Sequence, residues 1–177
     1  MRRLIYYVAA SIDGYISGPE DDISGFVASG NGVDQYLQDL EHFDTVIMGR
    51  RTYEFGYKFG LVPGQPAYPH MKHYIFSGTL NFHNSHPGVE VKELNVYEIE
   101  RIRKLQGSDI YVCGGGMLAG WLLDRQLIHG VKLKLNPLIL GKGVRLFGSS
   151  EKKHKLEMIE SVSCDGGLQI ITYDIHY

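Results

Sequence analysis

Cysteine is scarce in this chain: Cys113 and Cys164 are the only two in 177 residues. They stand far apart and lack metal-type spacing, which excludes a disulfide framework and fits a reducing cytoplasm. Cys113 lies in an apolar run and reads as a buried thiol. An excess of one charge is also missing. Eighteen basic against twenty acidic residues give −2, with no basic block, which argues against nucleic acid and anionic membranes as partners. No apolar run approaches the roughly 20 residues that span a bilayer. The N-terminal run Leu4–Ala10 is short, holds two tyrosines and leads into Asp13-Gly14, so a first strand is expected rather than a leader. The eight histidines show no H-x-x-x-H spacing, and no metal site is expected. Repeats, low-complexity tracts and linkers are absent as well. What remains is one soluble cytoplasmic domain over residues 1–177, 44% hydrophobic and long enough for a sizeable core.

The elements alternate, which predicts an α/β layered fold. Leu4–Ala10 and Thr45–Met48 read as strands buried on both faces. Helices are predicted over Asp34–His42, with Tyr36, Leu37, Leu40 and Phe43 at helical spacing, and over Arg51–Tyr57. Further strands are predicted at Tyr74–Phe76, Val89–Val91, Ile110–Cys113 and Val131–Asn136. Asn95 with Glu98 forms a capping signature for a helix to about Leu105, and Met117–Arg125 reads as another helix. Leu156–Ser163 and Leu168–Tyr177 alternate with period two around Asp165-Gly166-Gly167, a hairpin signal. Parallel βα units followed by an antiparallel hairpin predict a mixed, mostly parallel sheet flanked by helices.

Three strand ends carry candidate chemistry. Cys113-Gly114-Gly115-Gly116-Met117-Leu118 puts three glycines between an apolar strand and a helix, where free N–H groups of the first turn can face an anion. The anion expected there is the diphosphate of a nucleotide cofactor. Formally the stretch fits G-x-G-x-x-A, but it follows a late strand and no acid stands near Leu135–Pro137, so a Rossmann fold is rejected. Gly49-Arg50-Arg51-Thr52 offers two guanidinium groups and a hydroxyl; composition alone leaves phosphate binding and ordinary surface charge equally open. Phe76-Ser77-Gly78-Thr79 is either a plain turn or a contact for a ribose 2′-phosphate. Aromatic residues crowd the first third of the chain and could form a stacking pocket. Asp13 reads as a turn-stabilising side chain.

In this order and spacing, Ala10-Ser11-Ile12-Asp13-Gly14, Val46-Ile47-Met48-Gly49-Arg50, Ile75-Phe76-Ser77, Val112-Cys113-Gly114-Gly115-Gly116, Gly120-Trp121 and Pro137–Gly141 resemble the dihydrofolate-reductase-like superfamily. More closely they are similar to its branch containing the reductase domain of bacterial riboflavin biosynthesis, over nearly the whole chain. The resemblance implies a three-layer reductase fold, a cis peptide between two of the glycines, and NADPH as hydride donor. It would put Val8, Ala9 and Ile16 along the nicotinamide. Phosphates would fall to Gly49, Arg50, Arg51 and Thr52, with Arg51, Ser77 and Gly78 near the 2′-phosphate. Gly114, Gly115, Gly116, Met117 and Leu118 would wrap the diphosphate and the nicotinamide ribose.

On the substrate side the branch carries Glu where this chain has Cys113, and Lys where it has Tyr7. Dihydrofolate reductases instead place an acid on the helix before the second strand, near Asp34, which makes Asp34 the candidate proton donor and substrate contact. A helix-start acid is the competing reading of Asp34. The implied activity is hydride transfer to a small heterocyclic or ribosylated substrate, most like 5-amino-6-(5-phosphoribosylamino)uracil reductase. A folate-type reductase and an inert NADPH-binding sensor are the alternatives. The apolar C-terminal hairpin, with the resemblance, implies a homodimer.

Overall fold

The computed structural model describes residues 1–177. Strand β1 (Leu4–Ser11) is followed by the short β2 (Tyr15–Ser17), helix α1 (Asn31–Leu40), β3 (Thr45–Gly49) and helix α2 (Arg50–Phe55). Then come β4 (Lys72–Phe76), β5 (Val89–Lys92), α3 (Val96–Arg103), β6 (Ile110–Gly114), α4 (Gly116–Asp124) and β7 (Gly130–Asn136). The last strands are β8 (Val144–Arg145), β9 (Lys155–Ser163) and β10 (Gln169–His176).

Eight strands form one sheet in the order β5-β4-β3-β6-β1-β7-β10-β9. The six from β5 to β7 run parallel, while β10 is antiparallel to both β7 and β9. This is the mixed, mostly parallel α/β sheet with an antiparallel C-terminal hairpin that the apolar pattern predicts.

Strand side chains alternate, so a strand buried on both faces feeds two cores. Tyr6, Ile47 and Val112 point to one core, where α3 contributes Ile99 and Ile102 and α4 contributes Leu118 and Leu122. Their neighbours Tyr7, Val46 and Tyr111 point to the other, which Leu40 of α1 and Tyr53 of α2 complete. Three layers result, helices on both faces of the sheet.

The local signals act as expected at α3, where Asn95 Oδ1 accepts the Glu98 N–H at 2.8 Å. Elsewhere the boundaries differ. Helix α1 starts at Asn31, three residues before the expected Asp34, because Gly30 (φ 105°) turns the chain into it and Asn31 Oδ1 accepts the Asp165 N–H of the C-terminal hairpin at 2.8 Å. The helix expected over Arg51–Tyr57 is divided: α2 ends at Phe55 and a tight 3-10 turn, Gly56–Phe59, follows. The pairing of β2 with β8 was not expected, since neither segment is long enough to show a period. It is held beside the sheet by Asp13, which accepts N–H groups of Leu140 (3.1 Å) and Gly141 (2.7 Å), the turn role read from the sequence.

Neighbouring parallel strands β3 and β6 end side by side, with Met48 opposite Gly114. Both therefore open their strand-to-helix turns at the carboxyl edge of the sheet, where open α/β sheets bind ligands.

Candidate active site

A cavity of about 630 Å³ opens at that edge. One wall is the turn from β3 into α2, comprising Gly49, Arg50, Arg51 and Thr52. Facing it is the turn from β6 into α4, with Gly115, Gly116, Met117 and Leu118. The Gly114–Gly115 peptide is cis, as the resemblance implies. The two turns meet closely: a Cβ on Gly115 would stand 3.1 Å from Thr52 Oγ1. No side chain caps α4 at Gly115, so the first-turn N–H groups are left to a ligand or solvent. A smaller cavity of about 350 Å³ shares Gly49, Met117 and Leu118 and continues the cleft past Trp121, whose ring lies 4.0 Å from the Arg125 guanidinium carbon.

Val8, Ala9 and Ile16 also line the main cavity. The inner end is walled by Tyr7, Tyr36, Tyr68, Tyr111 and Cys113. Their polar atoms are largely spent on one another. Tyr36 and Tyr111 hydroxyls lie 2.8 Å apart, and Tyr68 Oη is 3.8 Å from Cys113 Sγ. Tyr7 Oη donates to Asp39 Oδ2 at 3.0 Å, and the same oxygen receives Lys132 Nζ at 2.7 Å.

Burial, then the nearby Asp39 carboxylate, raises the Tyr7 phenol far above its ordinary range. Burial pushes Tyr36 up to about 12, raises Tyr68 and Tyr111 well above the usual range and raises the Cys113 thiol. All are protonated at neutral pH and can only hydrogen-bond. For Asp39, burial favours the neutral form, but bonds from Lys132, Gln35 and Tyr7 outweigh it and the carboxyl titrates below its usual value.

Thirteen of the residues singled out from the sequence come together here, and four do not. Gly114 lies outside the lining, with φ 114° and the Tyr6 ring 3.5 Å from where a Cβ would stand. Ser77 and Gly78 sit outside the lining at the end of β4, where Ser77 Oγ accepts the Thr79 and Leu80 N–H groups at 3.2 and 2.9 Å. Arg50 bridges toward them through Thr79 Oγ1 at 2.9 Å. Asp34 is exposed and does not reach the cavity. The reason is helical geometry. Tyr36, two residues on, lies about 200° round α1, so the face that presents Tyr36 to the cavity turns Asp34 to solvent. The assignment of Asp34 as proton donor and substrate contact is corrected accordingly.

Sequence reasoning missed Lys134, which lines the inner end and whose burial lowers its pKa. It also missed Asp39 behind Tyr7. The signal was available in Lys132-x-Lys134, two lysines with the period of a strand in a segment otherwise read as core.

The uncharacterized protein YwjB of Bacillus subtilis (strain 168) is 29% identical over 163 residues, spanning 89% of each chain. A pyrimidine reductase-like protein from Corynebacterium diphtheriae superposes with a TM-score of 0.76 at 16% identity, covering 99% of this chain and 92% of that one. Dihydrofolate reductase from Enterococcus faecalis, in complex with NADP(H), superposes with a TM-score of 0.66 at 17% identity and 99% and 97% coverage. The shared fold is therefore dihydrofolate-reductase-like. No helix is long and apolar enough to cross a membrane. The model of the RibD C-terminal domain matches residues 2–170, and the chain belongs to that family.

Proposed function

We propose that this chain is an NADPH-dependent reductase that transfers a hydride to a C=O or C=N carbon of a small planar heterocycle, closest in type to the pyrimidine reductase of riboflavin biosynthesis. The observation that carries this reading is the meeting of two glycine turns across one cleft. The gap between them is one that a Cβ at Gly115 would fill, and Arg50 and Arg51 flank it. A dinucleotide fits such a cradle: it needs close backbone approach, free N–H groups and cations for its phosphates.

In this reading Gly49, Arg50, Arg51 and Thr52 hold phosphate oxygens, and Gly114 to Leu118 wrap the diphosphate and ribose. Val8, Ala9 and Ile16 present an apolar wall to the nicotinamide. Arg51, with an exposed side chain, and the Ser77-Gly78 turn, which Arg50 joins through Thr79, take the 2′-phosphate. When bound, the nicotinamide supplies the hydride, and the protein supplies binding, orientation and exclusion of water. Tyr7 and Cys113 form part of the substrate floor. A folate-type reaction is disfavoured because no acidic side chain stands at the inner end; the one acidic residue of the lining, Asp21, is bonded to Arg51 at 3.4 Å. Two free thiols suit a reducing cytoplasm as the compartment.

The chain works as a homodimer in this account, joined through β9. Every residue of that edge strand is exposed, among them Leu156, Met158 and Ile159 at 48, 61 and 56%. An apolar edge strand is a template for pairing with a second copy.

Arg51→Ala tests the cofactor assignment. It is expected to weaken NADPH binding by about tenfold, the scale of one charge-assisted contact, while NADH binding changes little. Equal loss for both nucleotides would count against a 2′-phosphate contact.

A further inference from the structure

Lys132 and Lys134 lie two residues apart on β7 and therefore project to the same face of the sheet, in register with Tyr7 and Ala9 of β1. Their surroundings differ. Lys132 Nζ is neutralised by Asp39 Oδ2 at 2.7 Å. Lys134 enters no ion pair; its Nζ lies 4.1 Å from the centroid of the Tyr36 ring, inside the cavity lining. The other cations of that lining, Arg50 and Arg51, stand at the turn from β3 into α2 and are assigned above to the cofactor phosphates, which leaves Lys134 as the cation of the inner end. An ammonium that has lost much of its hydration and gained only an aromatic face is incompletely compensated. Burial accordingly lowers its pKa. An oxygen anion delivered by a ligand would complete it, and a ligand cation would be repelled. The phenols around it stay neutral, so nothing else at this end selects the sign of charge.

We propose that Lys134 is the substrate-selecting cation of the inner cavity, and that it takes a flat conjugated molecule bearing an anionic oxygen, a carboxylate or an enolate, laid against the aromatic wall of Tyr36, Tyr68 and Tyr111. The claim deepens the reductase reading and rests on it for the purpose of the site, though not for the binding itself. Such a ligand satisfies three features together: the lone cation, the absence of a free carboxylate and the aromatic walls.

The test uses three probes of one shape and different charge: 2-naphthoate, 2-naphthamide and 2-naphthylmethylammonium. Each is titrated into the purified protein with and without saturating NADP+, following probe fluorescence. The wild type is expected to bind naphthoate about tenfold more tightly than the amide and to bind the ammonium probe weakest. Lys134→Met should abolish that preference and Lys134→Arg should keep most of it. Lys134→Gln repeats the comparison in case the methionine variant folds poorly. Equal binding of the three probes, failure of naphthoate to bind, or an unchanged preference in both Lys134→Met and Lys134→Gln would overturn the proposal. Absence of NADP+ binding, with the naphthoate preference intact in nucleotide-free protein, would overturn the reductase reading alone.

Discussion

His73 is fully buried on β4, and both of its ring nitrogens are committed: Nδ1 to the Met71 carbonyl at 3.0 Å and Nε2 to the Tyr68 N–H at 3.1 Å. One must donate and the other accept, so the ring is held neutral. Burial depresses its pKa to about 4. The unfolded chain, with an ordinary histidine near 6.5, takes up the proton first as the pH falls. The stability this ring protects is thus complete above about pH 6.5 and lost progressively down to about pH 4, by up to about 3 kcal/mol. Because Nε2 accepts from Tyr68, the loss falls on a wall of the cavity. Denaturant midpoints measured against pH should fall across this window in the wild type and fall less in His73→Gln, which starts weaker at neutral pH. Parallel pH profiles for the two would contradict this account. At the same scale, the sequence revealed the residues of the two turns because glycine, arginine and threonine there are legible as chemistry. Asp39 was not legible, being an ordinary helix acid until α1 is laid against β1; Lys134 was marked only by its period-two spacing from Lys132, which does not say what its face packs against.

At the scale of elements, α4 is fixed by how closely it approaches residues 145–148. A Cβ on Gly116 would collide with the Arg145 carbonyl oxygen, and one on Gly120 with that of Phe147. Gly116→Ala must push the helix off this segment and so move the N–H groups that face the cleft. The expected cost is about 1–3 kcal/mol, the usual range for overpacking, together with loss of nucleotide binding. A variant with wild-type melting and wild-type NADPH affinity would show that the close approach does not matter. The long, doubly buried strands β1, β3 and β6 were readable as apolar runs, and the hairpin as alternation around Asp165-Gly166-Gly167. Segments of two or three residues, such as β2 and β8, carry no period and become strands only through each other. The start of α1 slipped by three residues because its N-terminus is set by Gly30 and by the distant bond from Asn31 to Asp165, not by a local cap.

For the whole molecule, the sheet ends on a strand that nothing covers. If β9 joins two copies, sedimentation at micromolar concentration will give twice the 19.9 kDa chain mass, and Met158→Glu will shift it toward one chain by placing a charge at the edge. A wild type of single-chain mass would remove the dimer from the account. The cleft at the carboxyl edge is the other whole-molecule feature, since β1, β3, β6, α2 and α4 all contribute to it. The proposed role of this cleft is to hold NADPH. It is tested most directly by titrating the purified protein with NADPH and with NADH while following nicotinamide fluorescence. Tight binding of NADPH with weak binding of NADH is the predicted result; no binding of either nucleotide would contradict the cofactor assignment and the reductase reading with it.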